Sequence, residues 1–265
     1  MHAHVEDRRG PDSTPPVVVG IDGSPRSLDA VEMAAVAAAL RHRPLRIVHA
    51  VDARTEFPEE YLTEAALLAE KVAPDAPVTC ELLTGPPATA LLAESGRATL
   101  LTVGDRGLGG FPGLIVGSVA VQAATHGACP VIIVRGQYFH SGPVVVGFDG
   151  SPGSVRALEF ALAEGALRGA EVVALHARPD DTAAPGMPAD QTVAGVAARY
   201  PRVAVRHEEV RDAAARALTR WSRAAQLLVV GDRGDGGFPG LQLGSVSQHL
   251  VYSAACPTAV VRAGS

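Results

Sequence analysis

The residues with the most chemical content form one loop that occurs twice. Gly104-Asp105-Arg106-Gly107 is followed, after nine residues, by Gly117-Ser118 and Val119, and Gly231-Asp232-Arg233-Gly234 leads in the same way to Gly244-Ser245 and Val246. Only three residues differ between 104–119 and 231–246. Each copy follows an apolar run and enters a stretch of helical spacing. Glycines let a backbone approach a ligand closely, and a helix start offers unpaired N–H groups and a positive dipole end, so the pattern suits an anion such as a phosphate. Ser118 and Ser245 can add hydroxyl donors. Arg106 and Arg233 either add a charge-assisted contact or stand as solvated surface charges. A single loop of this kind reads equally well as a tight turn before a helix; two copies at matching positions, in halves that diverge elsewhere, weigh against that reading.

A second repeated group closes the first strand of each half. Val18-Val19-Gly20-Ile21-Asp22-Gly23-Ser24-Pro25 recurs as Val145-Val146-Gly147-Phe148-Asp149-Gly150-Ser151-Pro152. In open parallel sheets ligands sit outside the carboxyl ends of strands where the strand order reverses. A carboxylate there, Asp22 or Asp149, suits a ribose hydroxyl pair or a metal's water shell; the competing role is to cap the helix that begins near Pro25. His49 and His176 stand near the end of the second strand, where an imidazole satisfied by backbone is the expected state. No metal-ligand spacing of His, Cys or Asp occurs. Cys80, Cys129 and Cys256 lack a His or Asn pairing motif and read as packing residues. Neither Gly23-Ser24-Pro25 nor Gly117-Ser118 forms a GxSxG elbow, so little points to hydrolytic chemistry.

The elements that hold these residues follow from an internal repeat with an offset of 127, which also carries His49-Ala50 to His176-Ala177 and Cys129-Pro130 to Cys256-Pro257. Within each unit β-branched apolar runs alternate with Ala- and Leu-rich helical stretches, the pattern of an α/β fold with a buried parallel sheet. Strands are expected at 17–22, 45–51, 78–83, 100–104 and 131–134, with helices at 27–41, 58–72, 87–95 and 114–125. The second unit repeats the strands at 144–149, 171–176, 203–208, 227–231 and 259–261. The expected organisation is a disordered lead-in over 1–15, domains over 16–136 and 143–265, and a short connection over 137–142.

The chain of 265 residues is 47% hydrophobic and 19% charged, with a formal net charge of −5 and one lysine, Lys71. These values fit real hydrophobic cores and exclude disorder as the main state. Scattered arginines on a mildly acidic chain argue against nucleic-acid binding. The longest apolar stretches fall far short of the roughly 20 residues a membrane-spanning helix needs. The polar, Pro-rich start lacks the apolar centre of a secretion signal, and three cysteines without a CxxC pair fit a reduced, cytoplasmic setting. Lys71 lies outside any GxxxxGK[ST] pattern, so a lysine-bearing phosphate loop is excluded.

Taken together, the VVGxDGSP opening, the His-plus-small-residue end of strand two, the GDRGxGGFPGLxxGSV loop and the Cys-Pro entry to the last strand resemble the universal stress protein family in its tandem two-domain bacterial form. The resemblance spans Val17 to Arg262. It implies two open α/β sandwich domains, each with a five-stranded parallel sheet in the order 3-2-1-4-5 flanked by helices, and ATP bound in each, with Mg2+ or Mn2+ as a companion ion. Carried over by position, Gly20 and Asp22 would lie by the ribose end of strand one, and Ala50 would offer backbone hydrogen bonds to adenine. Gly104, Arg106 and Gly107 would line the ribose and phosphate path, and Gly117, Ser118 and Val119 would hold the phosphates. The second unit places Gly147, Asp149, Ala177, Gly231, Arg233, Gly234, Gly244, Ser245 and Val246 in those roles.

Two departures stand out. Gly85-Pro86-Pro87 matches the family's turn after strand three, whereas the second unit has Asp212-Ala213-Ala214, so the rims of the two sites differ. Asp105 and Asp232 replace a small polar residue; facing a phosphate they would repel it unless turned to solvent or holding magnesium. Family members commonly pair through the fifth strand, which a tandem chain can do internally by joining 131–134 to 259–261, covering two open edges; a further homodimer is compatible. The resemblance implies a nucleotide-dependent regulatory role with no or slow hydrolysis. The alternatives are a slow ATPase or adenine-nucleotide hydrolase, disfavoured by Asp22-Gly23-Ser24-Pro25-Arg26-Ser27 in place of a SGGxDS loop, and a module for another adenine ligand such as cyclic AMP.

Overall fold

The computed structural model describes residues 14–51, 59–108, 116–136, 141–178, 189–234 and 242–262. The first unit alternates β1 (Val17–Ile21), α1 (Pro25–Arg41), β2 (Leu45–Val51), α2 (Glu60–Val72), β3 (Val78–Thr84), α3 (Pro87–Ser95), β4 (Leu100–Gly104), α4 (Ser118–His126) and β5 (Val131–Val134). The second repeats this as β6 (Val144–Gly147), α5 (Pro152–Arg168), β7 (Val172–Arg178), α6 (Ala189–Ala197), β8 (Val205–Arg211), α7 (Ala214–Trp221), β9 (Leu227–Gly231), α8 (Ser245–Ser253) and β10 (Thr258–Val261). The central strands are β-branched runs buried on both faces, with Val17, Val18 and Val19 fully enclosed, as parallel strands covered by helices must be.

The sheet order is β3-β2-β1-β4-β5-β10-β9-β6-β7-β8. Each unit therefore has the 3-2-1-4-5 order, and its strand sequence reverses between the first strand and the fourth, opening a crevice at their carboxyl ends. The units join edge to edge: β5 and β10 pair antiparallel, with Ala259 opposite Ile132. Neither fifth strand is left open. One hydrophobic core lies on each face of the ten-stranded sheet, and each runs through both units.

Polar contacts reinforce the join. Glu164 of α5 is fully buried and pairs with Arg41 of α1 and with Arg168 of its own helix, the latter at 2.9 Å. Arg41 and Arg168 occupy equivalent positions, but the counterpart of Glu164 is Ala37. Burial and the neighbouring Arg168 pull the Arg41 guanidinium down to about 10. Arg135, following β5, donates from Nη1 to the Val251 carbonyl at 2.8 Å, and Arg262 reaches reciprocally to the Thr125 carbonyl.

Local chemistry moves several expected boundaries. Helix α1 starts at Pro25 because Ser24 is its N-cap, accepting from the Ser27 N–H at 3.2 Å, and Ser151 caps α5 identically through Ser154. This removes Asp22 and Asp149 from the capping role. Helix α4 begins at Ser118 rather than at 114: Gly117 is extended at ψ 150°, and its N–H is taken by the Asp105 carbonyl at 2.7 Å. The first strands of both units end earlier than expected, while β7 and β8 run further, to Arg178 and Arg211. Cys80 is exposed on β3, not packed. Most of the expected lead-in and connection, 1–13 and 137–140, lies outside the described residues.

Candidate functional site

The crevice of the second unit is a cavity of about 480 Å³. Its floor is the carboxyl end of β6 and β9, at Gly147, Phe148 and Gly231, and Leu175, Ala177, Leu218 and Val230 give it an apolar slot. β7 continues to Arg178, past Leu175, whose amide oxygen takes the Phe148 N–H at 3.0 Å. The Ala177 backbone thus borders the slot beyond the end of β6. The opposite end is polar: Asp149, Arg233 and Gly234 face Gly244, Ser245 and Val246 at the start of α8. All nine residues expected in this unit line one cavity. Gly244 is the N-cap of α8 and no side chain caps that helix end, which leaves amides and a positive dipole end for an anion.

The carboxylates are fixed by the loops they face. Asp149 accepts from the Ser151 N–H at 3.0 Å and Asp22 from the Ser24 N–H at 3.1 Å. Asp22 Oδ2 also accepts from the Leu108 N–H at 2.6 Å, so the strand-one carboxylate and the loop after β4 meet in the fold. Glycine at 107 and 234 lets the loop close on the strand-one carboxylate, since a Cβ on either would press into Asp22 or Asp149 as they stand. Gly104 and Gly231 owe their identity to packing: a Cβ would lie 2.8 Å from the backbone of Arg26 at the start of α1 or of Gly153 at the start of α5. Ser118 and Ser245 are exposed at the first helical position, and Arg106 and Arg233 are about half exposed.

The first unit places Gly20, Asp22, Ala50, Gly104, Arg106, Gly107, Gly117, Ser118 and Val119 on the equivalent elements, with Ala50 one residue past the last partner that β2 shares with β1. Its surroundings differ. The Tyr61 ring packs against Gly23 at the end of β1, while Gly150, at the same place in the second unit, has nothing within 4 Å of where a Cβ would stand. Leu91 presses on Gly20 more closely than Leu218 does on Gly147. After β8, Asp212 turns its carboxylate onto Arg216 and Arg220 of α7, and Ala214 lines the cavity. The altered turn thus puts Ala214, the counterpart of Pro87, at the cavity wall.

Asp105 and Asp232 require a correction. Neither faces solvent or a phosphate; they are 2% and 3% exposed. Their backbones bridge the ends of β5 and β10 to the α4 and α8 caps, through N–H bonds to Val134 and Val261 and carbonyl bonds to Gly117 and Gly244. Around the Asp105 carboxylate stand Arg26, Arg135 and Arg106 at 3.7, 3.8 and 3.9 Å. Asp232 has Arg233 at 3.7 Å and Arg156 at 4.0 Å. These buried anions offset clustered arginine charge behind the loops.

The histidines split. His49 donates from Nδ1 to the Ile21 carbonyl at 2.6 Å, as expected of a backbone-satisfied imidazole. His176 has no such bond: its Nδ1 is buried without a hydrogen-bond partner among the described residues, 3.7 Å from Glu209 Oε1. Burial, with Arg178 adding to it, pushes its imidazole below the ordinary value. His176, His207 and Glu209 converge, a grouping absent from the expectations because the three are brought together by β7–β8 register. The alternation His207-x-Glu209 on a strand is the one local signal for it. Cys129 and Cys256 are buried packing residues whose thiols burial pushes up to about 12.

Comparison with known proteins matches this architecture. The Universal stress protein family model matches residues 14–135 and again 141–262. Universal stress protein Rv2623 of Mycobacterium tuberculosis is 35% identical, with 93% of this chain and 96% of the relative covered. The crystal structure of a universal stress protein from Archaeoglobus fulgidus superposes with a TM-score of 0.69 at 20% identity, covering 94% of this chain and 96% of that one. A universal stress protein solved in complex with cAMP is 33% identical over 46% of this chain and 98% of its own, with a TM-score of 0.40. The fold and site define a tandem pair of parallel α/β domains with crevices at their switch points. The chain belongs to the universal stress protein family.

Proposed function

We infer that each unit binds an adenine nucleotide, with ATP as the leading ligand, and that the chain acts as a nucleotide-dependent regulatory or sensor module of the stress response with no or slow hydrolysis. The observation that carries this reading is the order of chemistry along the second cavity. An apolar slot suits a flat ring, a fixed carboxylate suits a polyol, and an uncapped helix start with a serine hydroxyl suits an anion. A volume of about 480 Å³ is of the size small-molecule sites use. Asp149 is the one carboxylate among the described lining residues. An accompanying Mg2+ would draw its ligands mainly from phosphate oxygens and water. Binding needs no lysine, since glycine-spaced amides supply the donors.

The non-catalytic part rests on the same lining: beside Asp149 it offers one arginine and serines, but no histidine, lysine or second carboxylate among the described residues. Asp149, held by the Ser151 N–H, stands without a second carboxylate or a histidine beside it among the described lining residues, so the paired acid and base of proton-transfer catalysis are missing from that lining. Multiple turnover at about 1 per second or faster overturns this part of the reading.

Titration of ATP, ADP, AMP and cyclic AMP against the purified chain and its Gly117→Ala and Gly244→Ala variants tests the site. Gly117 and Gly244 have φ of −74° and −67°, and an added Cβ meets nothing closer than 3.6 Å and 3.3 Å. At Gly117 alanine is therefore accommodated without a clash, while at Gly244 the loop backbone has to give by a few tenths of an ångström, so retained unfolding midpoints are checked alongside binding. Each substitution is expected to remove or weaken one of two ATP equivalents; unchanged ATP binding in both overturns the assignment. Tighter binding of cyclic AMP than of ATP shifts the reading to that ligand.

A further inference from the structure

On the opposite face of β7 from the cavity-lining Leu175 and Ala177, three potential ligands come together. Residues alternate faces along a strand, so His176 projects to the α5–α6 side. His176 pairs in register with Glu209 on β8, and His207 lies two residues earlier on the same face. The donor atoms of His176, His207 and Glu209 lie within 4.8 Å of one another. The two imidazoles are stacked with centroids 6.2 Å apart, and the Phe148 ring meets His207 edge-on at 6.4 Å.

The hydrogen bonding of the group points to a cation. His207 gives its Nδ1 proton to the Asp190 carboxylate of α6. Its Nε2, which then carries the lone pair, is buried with no hydrogen-bond partner among the described residues, and the same holds for His176 Nδ1. Two buried imidazole nitrogens without partners beside a carboxylate are a costly arrangement unless something joins them. A carboxylate holding the far nitrogen of a histidine is the usual outer support of an imidazole ligand. The separation of 3.7 Å between His176 Nδ1 and Glu209 Oε1 is too long for a hydrogen bond. It is close to the roughly 3.3 Å between neighbouring donors of a tetrahedral centre with ~2.0 Å bonds. Arg178 holds Glu209 from the exposed side at 3.1 Å. Asp190 and Glu209 bring two carboxylates to the group against the one guanidinium of Arg178.

We propose that His176, His207 and Glu209 form a binding site for a divalent transition metal of the zinc class, with Asp190 orienting His207. Two imidazoles and one carboxylate are a donor set such ions favour, and they leave a fourth position for water. The site is separate from the nucleotide cavity and belongs to the second unit alone: the counterparts of the three ligands are His49, which is spent on Ile21, then Cys80 and Leu82.

Titration of the full-length, metal-stripped chain with Co2+ and Zn2+ tests it, read by the Co2+ d–d absorption and by competition with a chromophoric chelator. The wild-type chain is expected to take up one equivalent more than His176→Ala and His207→Ala, with Zn2+ displacing the Co2+ spectrum. His2 and His4 contribute the same background to every variant, so the difference isolates the site. Asp190→Asn is expected to weaken binding about 10-fold or more, without removing the equivalent. Glu209 is exposed, so Glu209→Gln gives a folded variant even where a histidine substitution does not, and it is expected to lose the tetrahedral Co2+ spectrum. Equal uptake and equal spectra in the wild type and in Glu209→Gln overturn the proposal, as does the absence of uptake by the wild type beyond the background.

Discussion

The two units keep their repeated loops nearly identical and differ in what stands around them. Both present a first-strand carboxylate to a glycine of the next loop, and both start the following helix from an uncapped glycine. Behind those loops the charge that steadies the buried aspartate comes from different places. Arg26 stands beside Asp105, but the equivalent of Arg26 is Gly153, and Arg156 on the next turn of α5 serves Asp232 instead. In front of them Tyr61 closes over Gly23, whereas Gly150 is open. The repeated loop thus keeps one backbone arrangement in both units on different supports, because an amide or a dipole end can be held by many different neighbours.

The largest effect is expected where the units are least alike. Glu164→Ala leaves Arg41 and Arg168 buried without their anion, and it should cost about 3–5 kcal/mol, seen as a lower midpoint in denaturant unfolding. An unchanged midpoint would mean that the Ala37 side of this contact is as good as the Glu164 side. Next, Gly107→Ala and Gly234→Ala each drive a Cβ into the strand-one carboxylate. Each should weaken one of two nucleotide equivalents about tenfold or more, or ~1.4 kcal/mol, measured by calorimetric titration. Loss of both equivalents from one substitution would show that the sites are coupled rather than parallel.

Smaller effects separate the supports. Asp105→Asn releases three arginine neighbours and Asp232→Asn two; with arginines partly exposed and near 4 Å, costs of about 1–2 kcal/mol and less than that are expected, respectively. Equal losses would erase this difference between the units. Last, at pH 8 a thiol reagent should label Cys80 alone in the native chain, and all three cysteines once it is unfolded. Cys129 and Cys256, one in each unit, keep their protons in the native state up to about 12, whereas unfolded thiols ionise near 9. The stability they contribute is therefore present below pH 9 and lost as pH rises towards 12. Native labelling of either buried thiol at pH 8 would show that its helix-to-strand junction opens.

What the sequence disclosed follows the range of each interaction. The repeat offset, the strand positions and the crevice were legible because apolar runs and glycine spacing are local properties, and the order 3-2-1-4-5 came with the family resemblance carried by Asp22, Gly107 and Gly117. The packing role of Gly104 was hidden, since a ligand and a helix backbone impose the same demand for a missing side chain. The neutralisation of Asp105 was hidden too, because Arg26 and Arg135 approach from α1 and from the end of β5. His176, His207 and Glu209 could not be assembled without knowing which residue of β8 stands opposite which residue of β7. The start of α4 was misplaced because an apolar helical pattern does not reveal that the Gly117 N–H is already taken by Asp105.

The single Glu164 lies between two equivalent arginines, one from each half. Its counterpart Ala37 offers nothing in return, so the seam carries this anion on one side only. One carboxylate thereby ties α1 to α5, and parting those helices would strand a buried guanidinium in each half.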